Sequence, residues 1–130
     1  MFRAFALAAA LSCACIVNAP DKAHAESAVT QPADFLSGSY DVKGEPFGGG
    51  NPYTGVVTVE KTGATYKVVW YPGPDQVEGV GVWWGGQFSV GYMQSGKQGV
   101  AVYVPAGNGL KGVWSELGET RIAPEDWVKR

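Results

Sequence analysis

Short segments in which apolar and polar residues alternate fill most of the chain beyond its N-terminal quarter. Alternation at every second position is typical of a strand with one buried and one exposed face. In the segment 65–70, for example, Tyr66, Val68 and Trp70 share one face and Lys67 lies on the other. The pattern predicts seven strands and a short eighth, at residues 35–42, 53–60, 65–70, 76–84, 87–92, 99–104, 110–115 and 119–123.

Turn-forming residues separate these strands. Gly63 and the pair Gly85-Gly86 suit the positive φ angles of tight hairpins, and Pro72 cannot donate to a sheet ladder. A flat meander would leave two edges open to pairing with other chains, whereas eight strands can close into a barrel. Glycines within strands, such as Gly79, permit the sharp bends that closure needs. We therefore predict an all-β fold, a single eight-stranded antiparallel up-and-down barrel.

The N-terminal residues follow a different pattern. Arg3 precedes an apolar run at 5–17, and Ala23-His24-Ala25 matches a cleavage site of the A-x-A type, so residues 1–25 read as a signal peptide. The apolar run is shorter than the roughly 20 residues that cross a bilayer, so we expect no permanent membrane span. We predict a periplasmic or secreted protein cleaved after Ala25. Its predicted parts are a signal peptide at 1–25, a flexible leader at 26–35, the barrel at 36–123 and a C-terminal tail at 124–130.

Composition removes several kinds of chemistry. The two cysteines, Cys13 and Cys15, and the single histidine, His24, all lie in the predicted signal peptide. The rest of the chain cannot assemble a Ser-His-Asp or Cys-His mechanism, and zinc or copper would find only carboxylates. The loop at 44–52 lacks the dense Asp spacing of a calcium motif. We predict no cofactor and no metal.

The charge pattern argues against nucleic acid as a partner. The chain has 10 Lys and Arg residues against 12 Asp and Glu residues, a formal net charge of −2. The basic residues are scattered along the sequence and form no stripe that could follow a phosphate backbone. We expect the partner to be a small molecule or another protein.

Carboxylates are the groups left for catalysis. Glu125 and Asp126 are sequence neighbours, and Glu116 and Glu119 flank a turn. Two carboxylates across a sugar-sized cleft can hydrolyse a glycoside, but a small barrel has little room for such a cleft. The other interpretation is a solvated turn and tail, where acidic residues are common. We predict that the protein is not an enzyme and keep a carboxylate-based hydrolase as the third hypothesis.

Aromatic residues indicate where a ligand could bind. Strand alternation puts Trp83 and Trp84 on opposite faces, and it separates Trp70 from Tyr71 in the same way. One member of each pair therefore points away from the barrel axis. These rings either fill and cap the core or form a stacking platform at one barrel mouth. The predicted ligand-binding residues, near the loop at 44–52, are Tyr53, Trp70, Tyr71, Trp83 and Trp84.

Parts of the sequence resemble known families. The segment Leu36-Ser37-Gly38-Ser39-Tyr40 resembles the first strand of calycin barrels, the lipocalin and avidin class, whose members carry ligands. The same opening after a short leader is similar to periplasmic inhibitors of secreted bacterial metalloproteases, which are also eight-stranded barrels. The segment from Tyr53 to Trp114 resembles glycine-rich exported bacterial proteins of unassigned function. Its matching elements are Tyr53-Thr54-Gly55-Val56-Val57, Val68-Val69-Trp70, Gly79-Val80-Gly81, Val100-Ala101-Val102-Tyr103 and Leu110-Lys111-Gly112-Val113-Trp114. The last likeness implies a barrel and export, without an activity.

The leading hypothesis is an exported, non-enzymatic binding module that holds a small apolar or aromatic ligand at the barrel mouth. The alternative is a protein-binding envelope factor or periplasmic inhibitor of a secreted enzyme, acting through the leader or exposed aromatic residues. The state of the barrel axis separates them. If Tyr66, Trp70, Phe88 and Trp114 fill the axis, the surface role gains over the cavity role.

Overall fold

A computed structural model of the chain describes residues 34–130. The predicted signal peptide and most of the predicted leader lie outside these residues. The described part contains eight strands, β1 (Gly38–Gly44), β2 (Tyr53–Thr62), β3 (Thr65–Tyr71), β4 (Val77–Trp84), β5 (Gln87–Gln94), β6 (Lys97–Ala106), β7 (Gly109–Glu116) and β8 (Ala123–Lys129). No helix long and apolar enough to cross a membrane occurs between Asp34 and Arg130.

The strands form one closed antiparallel barrel in sequence order. Each strand pairs with the next, and β8 pairs with β1, with Val42 opposite Trp127. The predicted eight-stranded up-and-down barrel is therefore confirmed. Gly85 and Gly86 have φ angles of 60° and 81° and form the predicted two-residue hairpin between β4 and β5, because both positions need a left-handed backbone.

The last strand differs from the sequence prediction. Residues 119–122 of the predicted eighth strand are not in a strand. β8 begins at Ala123, and residues 124–129, which the sequence assigned to the tail, form most of it. The prediction was wrong because Pro-Glu-Asp at 124–126 resembles a solvated turn. In the barrel, Ala123, Glu125 and Trp127 are buried on the inner face, and the residues between them are exposed. Alternation is present, but one of its inward positions is a carboxylate.

The two ends of the barrel have different connections. At one end, which we call the base, residues 63–64, 85–86 and 107–108 are two-residue hairpins. At the other end, which we call the mouth, the longer connections 45–52, 72–76 and 117–122 accompany one two-residue hairpin at 95–96. Because its connections are longer, the mouth is closed less tightly than the base.

Buried side chains fill the half of the barrel near the base. We call this group the plug; its members are Leu36, Tyr40, Tyr66, Phe88 and Trp127, each at most 5% exposed. Leu36 precedes β1, and its carbonyl accepts a hydrogen bond of 2.6 Å from the Tyr40 hydroxyl. The ring of Trp127 contacts those of Tyr40 and Phe88, at centroid distances of 5.6 and 6.3 Å. The plug is thus a continuous aromatic core.

Inward-facing glycines make room for these large rings. A Cβ on Gly81 would overlap the ring of Phe88, and a Cβ on Gly99 would overlap the ring of Tyr92. Aromatic side chains lying across neighbouring glycines are a known way to pack a curved sheet. The mid-strand glycines of the sequence therefore allow close ring approach inside the barrel.

Candidate functional site

A cavity of about 310 Å³ lies at the mouth of the barrel. Aromatic and other apolar side chains line it. Six aromatic rings form part of its wall. Five of them belong to strands β2, β3, β5, β6 and β7, and the sixth, Phe47, belongs to the loop 45–52. The strand residues are Tyr53, Trp70, Tyr92, Tyr103 and Trp114. The remaining lining residues are Pro46, Pro72, Val77, Gln94, Glu116 and Glu125.

A buried carboxylate forms part of this cavity. Glu125 is 6% exposed and points inward from β8. Four neutral donors surround it. The Tyr53 hydroxyl donates to Oε2 at 2.6 Å, and three groups donate to Oε1: Trp70 Nε1 at 3.1 Å, the Tyr103 hydroxyl at 2.8 Å and Trp127 Nε1 at 2.7 Å. Hydrogen bonds to a charged acceptor are worth about 1.5–3 kcal/mol each, so this ring offsets much of the cost of burying a charge.

Glu125 also joins the cavity to the plug. Trp127, which donates to Glu125, stacks against Tyr103 at a centroid distance of 4.2 Å and meets Trp70 at 5.9 Å. Trp70 and Tyr103 line the cavity, whereas Trp127 belongs to the plug. The carboxylate therefore fixes the orientation of rings on both sides of it.

The cavity tyrosines remain protonated donors over a wide pH range. Burial raises the pKa of Tyr103 well above its usual value, and the negative charge of Glu125 raises it further. Burial also raises the pKa of Tyr53, and the negative charge of Glu125 raises it further. Because both hydroxyls stay protonated, both continue to donate to the carboxylate.

One indole donor at the cavity is left without a bond. Among the described residues, Trp114 Nε1 is buried and has no hydrogen-bond partner of normal geometry. A weaker interaction of this N–H with the neighbouring Tyr53 hydroxyl lowers the pKa of Tyr53, and so opposes a small part of the rise caused by burial and Glu125. The two rings meet edge to face at 6.4 Å. A buried donor without a partner is rare and costs free energy, so a polar atom in the cavity would relieve it.

The rim of the mouth is held by contacts between two loops. The ring of Phe47 stacks on Trp114 at 4.3 Å. The guanidinium of Arg121 lies 5.7 Å from the Phe47 ring centroid and makes two hydrogen bonds of 2.8 Å to the Glu119 carboxylate. Loop 45–52, which the sequence placed near the ligand, does contribute to the cavity wall.

The structure brings two of the five predicted ligand-binding residues together. Tyr53 and Trp70 line the cavity. Tyr71 is 38% exposed on the outer face of β3, as alternation predicted for the neighbour of a buried Trp70. Tyr71 therefore does not contribute to the cavity.

The other two predicted residues lie at the opposite end of the barrel. Trp83 packs against the core from β4 and meets the ring of Phe35 edge to face at 5.0 Å. Trp84 is 78% exposed beside the hairpin 85–86. Their predicted opposite faces are confirmed, but β4 runs from the mouth to the base, so both lie far along the strand from Val77, the β4 residue in the cavity wall.

Sequence reasoning missed the residues that complete the site. Tyr92, Tyr103 and Trp114 are not among the predicted ligand-binding residues, and Glu125 falls in the predicted C-terminal tail, yet all four line the cavity. The inward position of the three rings follows from alternation within β5, β6 and β7. Alternation through Ala123, Glu125 and Trp127 was the signal that could have placed the carboxylate.

The carboxylate pairs suggested by the sequence do not form. Glu125 is buried and Asp126 is exposed, because consecutive strand residues face opposite sides. Glu119 is held in the loop by Arg121, while Glu116 lines the cavity from β7. In the described part of the chain, no three His, Cys, Asp or Glu side chains form a group that could hold a metal ion.

The barrel is similar to a solved lipid-binding protein. The apo crystal structure of Caenorhabditis elegans lipid binding protein 8 matches with a TM-score of 0.50 at 12% sequence identity, over 74% of this chain and 96% of that chain. An identity this low shows the fold alone, which is a calycin-like barrel. No protein-family model and no curated protein matches the sequence.

Proposed function

We propose that this protein is a non-enzymatic binding module that holds a small aromatic or apolar molecule in the cavity at the barrel mouth. The observation that carries the proposal is the cavity of about 310 Å³ with six aromatic rings in its wall. Ligand sites are usually concave, mostly apolar, and supplied with a few placed polar groups. The Trp114 N–H and the two glutamates are such groups here.

The size of the cavity limits the ligand. Small-molecule sites typically range from about 300 to 1,000 Å³, so this one is at the lower end. A molecule with one or two rings fits that volume better than a long lipid chain does. Offset or edge-to-face stacking against the wall rings would contribute to affinity.

The environment of Glu125 supports binding over catalysis. Its two oxygens already accept four hydrogen bonds, which hold the carboxylate in one orientation. A carboxylate whose oxygens are occupied in this way is a hindered nucleophile. We therefore place the carboxylate-based hydrolase behind a binding role.

Calorimetry with a panel of neutral one- and two-ring molecules tests this function, together with NMR mapping on the unmodified protein. Ligands should shift the side-chain signals of Tyr92 and Trp114. Val77→Phe, which projects into the cavity, should abolish binding, and Val80→Phe, on the outer face of the same strand, should retain it. Shifts confined to the base, or no binding by any neutral or charged ring compound, would overturn the proposal. The NMR map decides the question even if Val77→Phe does not fold.

We also propose that the module acts after export, in the periplasm or outside the cell. The sequence pattern over residues 1–25 supports this, with its basic start, apolar run and A-x-A site. Intact-mass measurement of protein from its host should give a chain that starts at Glu26. A mature protein that still begins at Met1 would contradict export by cleavage.

A protein-binding role is the second candidate, and a specific surface favours it. The outer faces of β4 and β6 carry the exposed valines Val80 and Val100, which lie opposite Gly91 of β5 from its two sides. Contiguous exposed apolar residues often mark interaction surfaces. Native mass spectrometry of protein from its host separates the roles, since a bound small molecule supports the cavity. A second polypeptide bound in stoichiometric amount to the wild type, and absent from Val100→Lys, supports the protein-binding role of this surface.

A further inference from the structure

The charged groups in the cavity wall are all acidic. Of the wall residues within the described chain, two carry a formal charge, Glu116 and Glu125. None of the ion pairs between residues 34 and 130 includes either of them. Glu125 has neutral donors around it and no countercharge, so its negative charge remains available to a ligand.

The aromatic wall adds to the same negative field. The face of an aromatic ring carries partial negative charge and attracts a cation within about 6 Å of the ring centroid, most strongly for Trp. Trp70 and Trp114 are both in the wall, with tyrosine rings between them. An ammonium group in this cavity would meet ring faces and carboxylate oxygens together.

We propose that the cavity selects a cationic ligand, an alkylammonium or a small aromatic amine, over neutral and anionic molecules of the same shape. This inference rests on the proposed function and specifies its ligand class. A fatty acid or other organic anion would bring its carboxylate next to two glutamates that have no cationic partner among the described residues.

The negative charges of both glutamates act on Tyr92, another tyrosine of the cavity wall. Burial raises the pKa of Tyr92, and the charges of Glu116 and Glu125 raise it further, in that order. A negative potential that disfavours a phenolate favours an ammonium at the same place. Because Glu125 is buried, salt screens its attraction for a cation less than it screens surface pairs.

Arg121 does not reverse this sign. It approaches the mouth from outside, over the Phe47 ring, and does not line the cavity. Its guanidinium is paired with Glu119. The negative charge of Glu119 therefore offsets the positive field of Arg121 outside the cavity.

Three probes of matched shape test the selectivity: phenethylamine, phenethyl alcohol and phenylacetate, which are cationic, neutral and anionic at neutral pH. Isothermal titration calorimetry on the mature protein should show the amine binding about tenfold tighter than the alcohol. Phenylacetate should bind more weakly than the alcohol. Binding of the amine should also shift the NMR signals of the Trp114 side chain.

A pair of variants then assigns the effect to the cavity. Glu116→Gln should reduce the ratio of amine affinity to alcohol affinity by about threefold or more, since it removes one of the two charges. Glu78→Gln removes the same charge from the outer face of β4, where Glu78 is exposed and paired with Lys67, and should leave the ratio unchanged. An equal loss in both variants would assign the effect to net charge and overturn the inference.

The outcomes separate the inference from the function on which it rests. If the alcohol binds as tightly as the amine, or phenylacetate binds best, the cation preference is wrong and the cavity remains a binding site. If none of the three binds and neutral ring compounds also fail, the binding function itself is wrong. Amine binding that leaves the Trp114 signals unshifted would place the cation elsewhere and overturn the inference.

Discussion

The base and the mouth of the barrel are built from the same eight strands, yet one half is solid and the other contains a cavity. At the base, Tyr66 and Phe88 meet edge to face at 5.4 Å and belong to the same buried cluster as Leu36. At the mouth, comparable rings stand around the axis and are covered only by loops. The difference shows that strand number sets the width of the interior, while the reach of side chains and the covering segments decide how much of it is filled.

The comparison also separates stability from binding. Fully buried rings in contact with each other contribute apolar burial and stacking, which stabilise the fold. Rings with a free face lose part of that contribution and gain a surface for a ligand. Substitutions in the plug should therefore change the free energy of unfolding, and substitutions in the cavity should mainly change binding.

The largest effect is expected at Trp127. This side chain is 1% exposed and contacts the rings of Tyr40, Trp70, Phe88 and Tyr103. Trp127→Ala should lower the free energy of unfolding by about 3–5 kcal/mol, measured by urea denaturation, because it opens a large void in the plug.

Trp84 supplies the matched control for that measurement. It is 78% exposed at the base, so Trp84→Ala should change the unfolding free energy by less than about 0.5 kcal/mol. It should also leave ligand affinity unchanged, although the sequence suggested Trp84 as a binding residue. Equal losses in the two variants would mean that the base is not organised around Trp127.

Glu125 lies between the two halves, and its removal should have the next largest effect. Glu125→Ala leaves the Tyr53, Trp70, Tyr103 and Trp127 donors without their acceptor. We expect a loss of about 2–3 kcal/mol in chemical denaturation, because unpaired buried donors are costly.

Glu125→Gln keeps one carbonyl acceptor and should cost less than the alanine variant. It also tests the buried carboxylate itself. A glutamine variant more stable than the wild type would show that the desolvation of the charge outweighs its hydrogen bonds.

Two glycines compare the halves directly. A Cβ on Gly81 would overlap the ring of Phe88, which is fully buried in the plug and has no room to move. A Cβ on Gly99 would overlap the far end of Tyr92, which borders the cavity and can turn into it. Gly81→Ala should cost about 1–3 kcal/mol by urea denaturation, and Gly99→Ala should cost less.

Ligand affinity should change in the opposite order. Gly99→Ala pushes Tyr92 into the cavity and should weaken binding of a ring compound by calorimetry, while Gly81→Ala in folded protein should not. Equal stability losses would show that the mouth is packed as rigidly as the base. That result would also argue against an adaptable binding cavity.

Most of the fold could be predicted from the sequence because its signals are local. Period-two alternation located β2 to β7 within two residues at either end, and Gly85-Gly86 marked its hairpin. The eighth strand was misplaced because its inward positions include a glutamate. Local hydrophobicity cannot show that a carboxylate is buried when its four donors come from distant strands and from within β8 itself.

The candidate site was predicted in part for the same reason. Alternation correctly placed Trp70 and Tyr71 on opposite faces of β3, and Trp83 and Trp84 on opposite faces of β4. It could not show which inward rings lie near the mouth, since that depends on the direction of each strand in the closed barrel. With strand direction included, Trp83 belongs to the base, and Tyr92 and Trp114 belong to the cavity.

The smallest expected effect is confined to the mouth. Hydrogen bonds from Arg121 lower the pKa of Glu119 to about 2 from its ordinary 4.5. Because the folded value is the lower one, this pair stabilises the fold above pH 4.5, and its contribution disappears as the pH falls through 2. The gap in stability between wild type and Glu119→Gln should therefore be present at neutral pH and close in acid. It should stay small because the pair is exposed. Carboxyl chemical shifts followed by NMR give the pKa of Glu119 directly. A value near 4.5 would show that Arg121 does not hold the rim, and the Phe47 contact at the mouth would then depend on Trp114 alone.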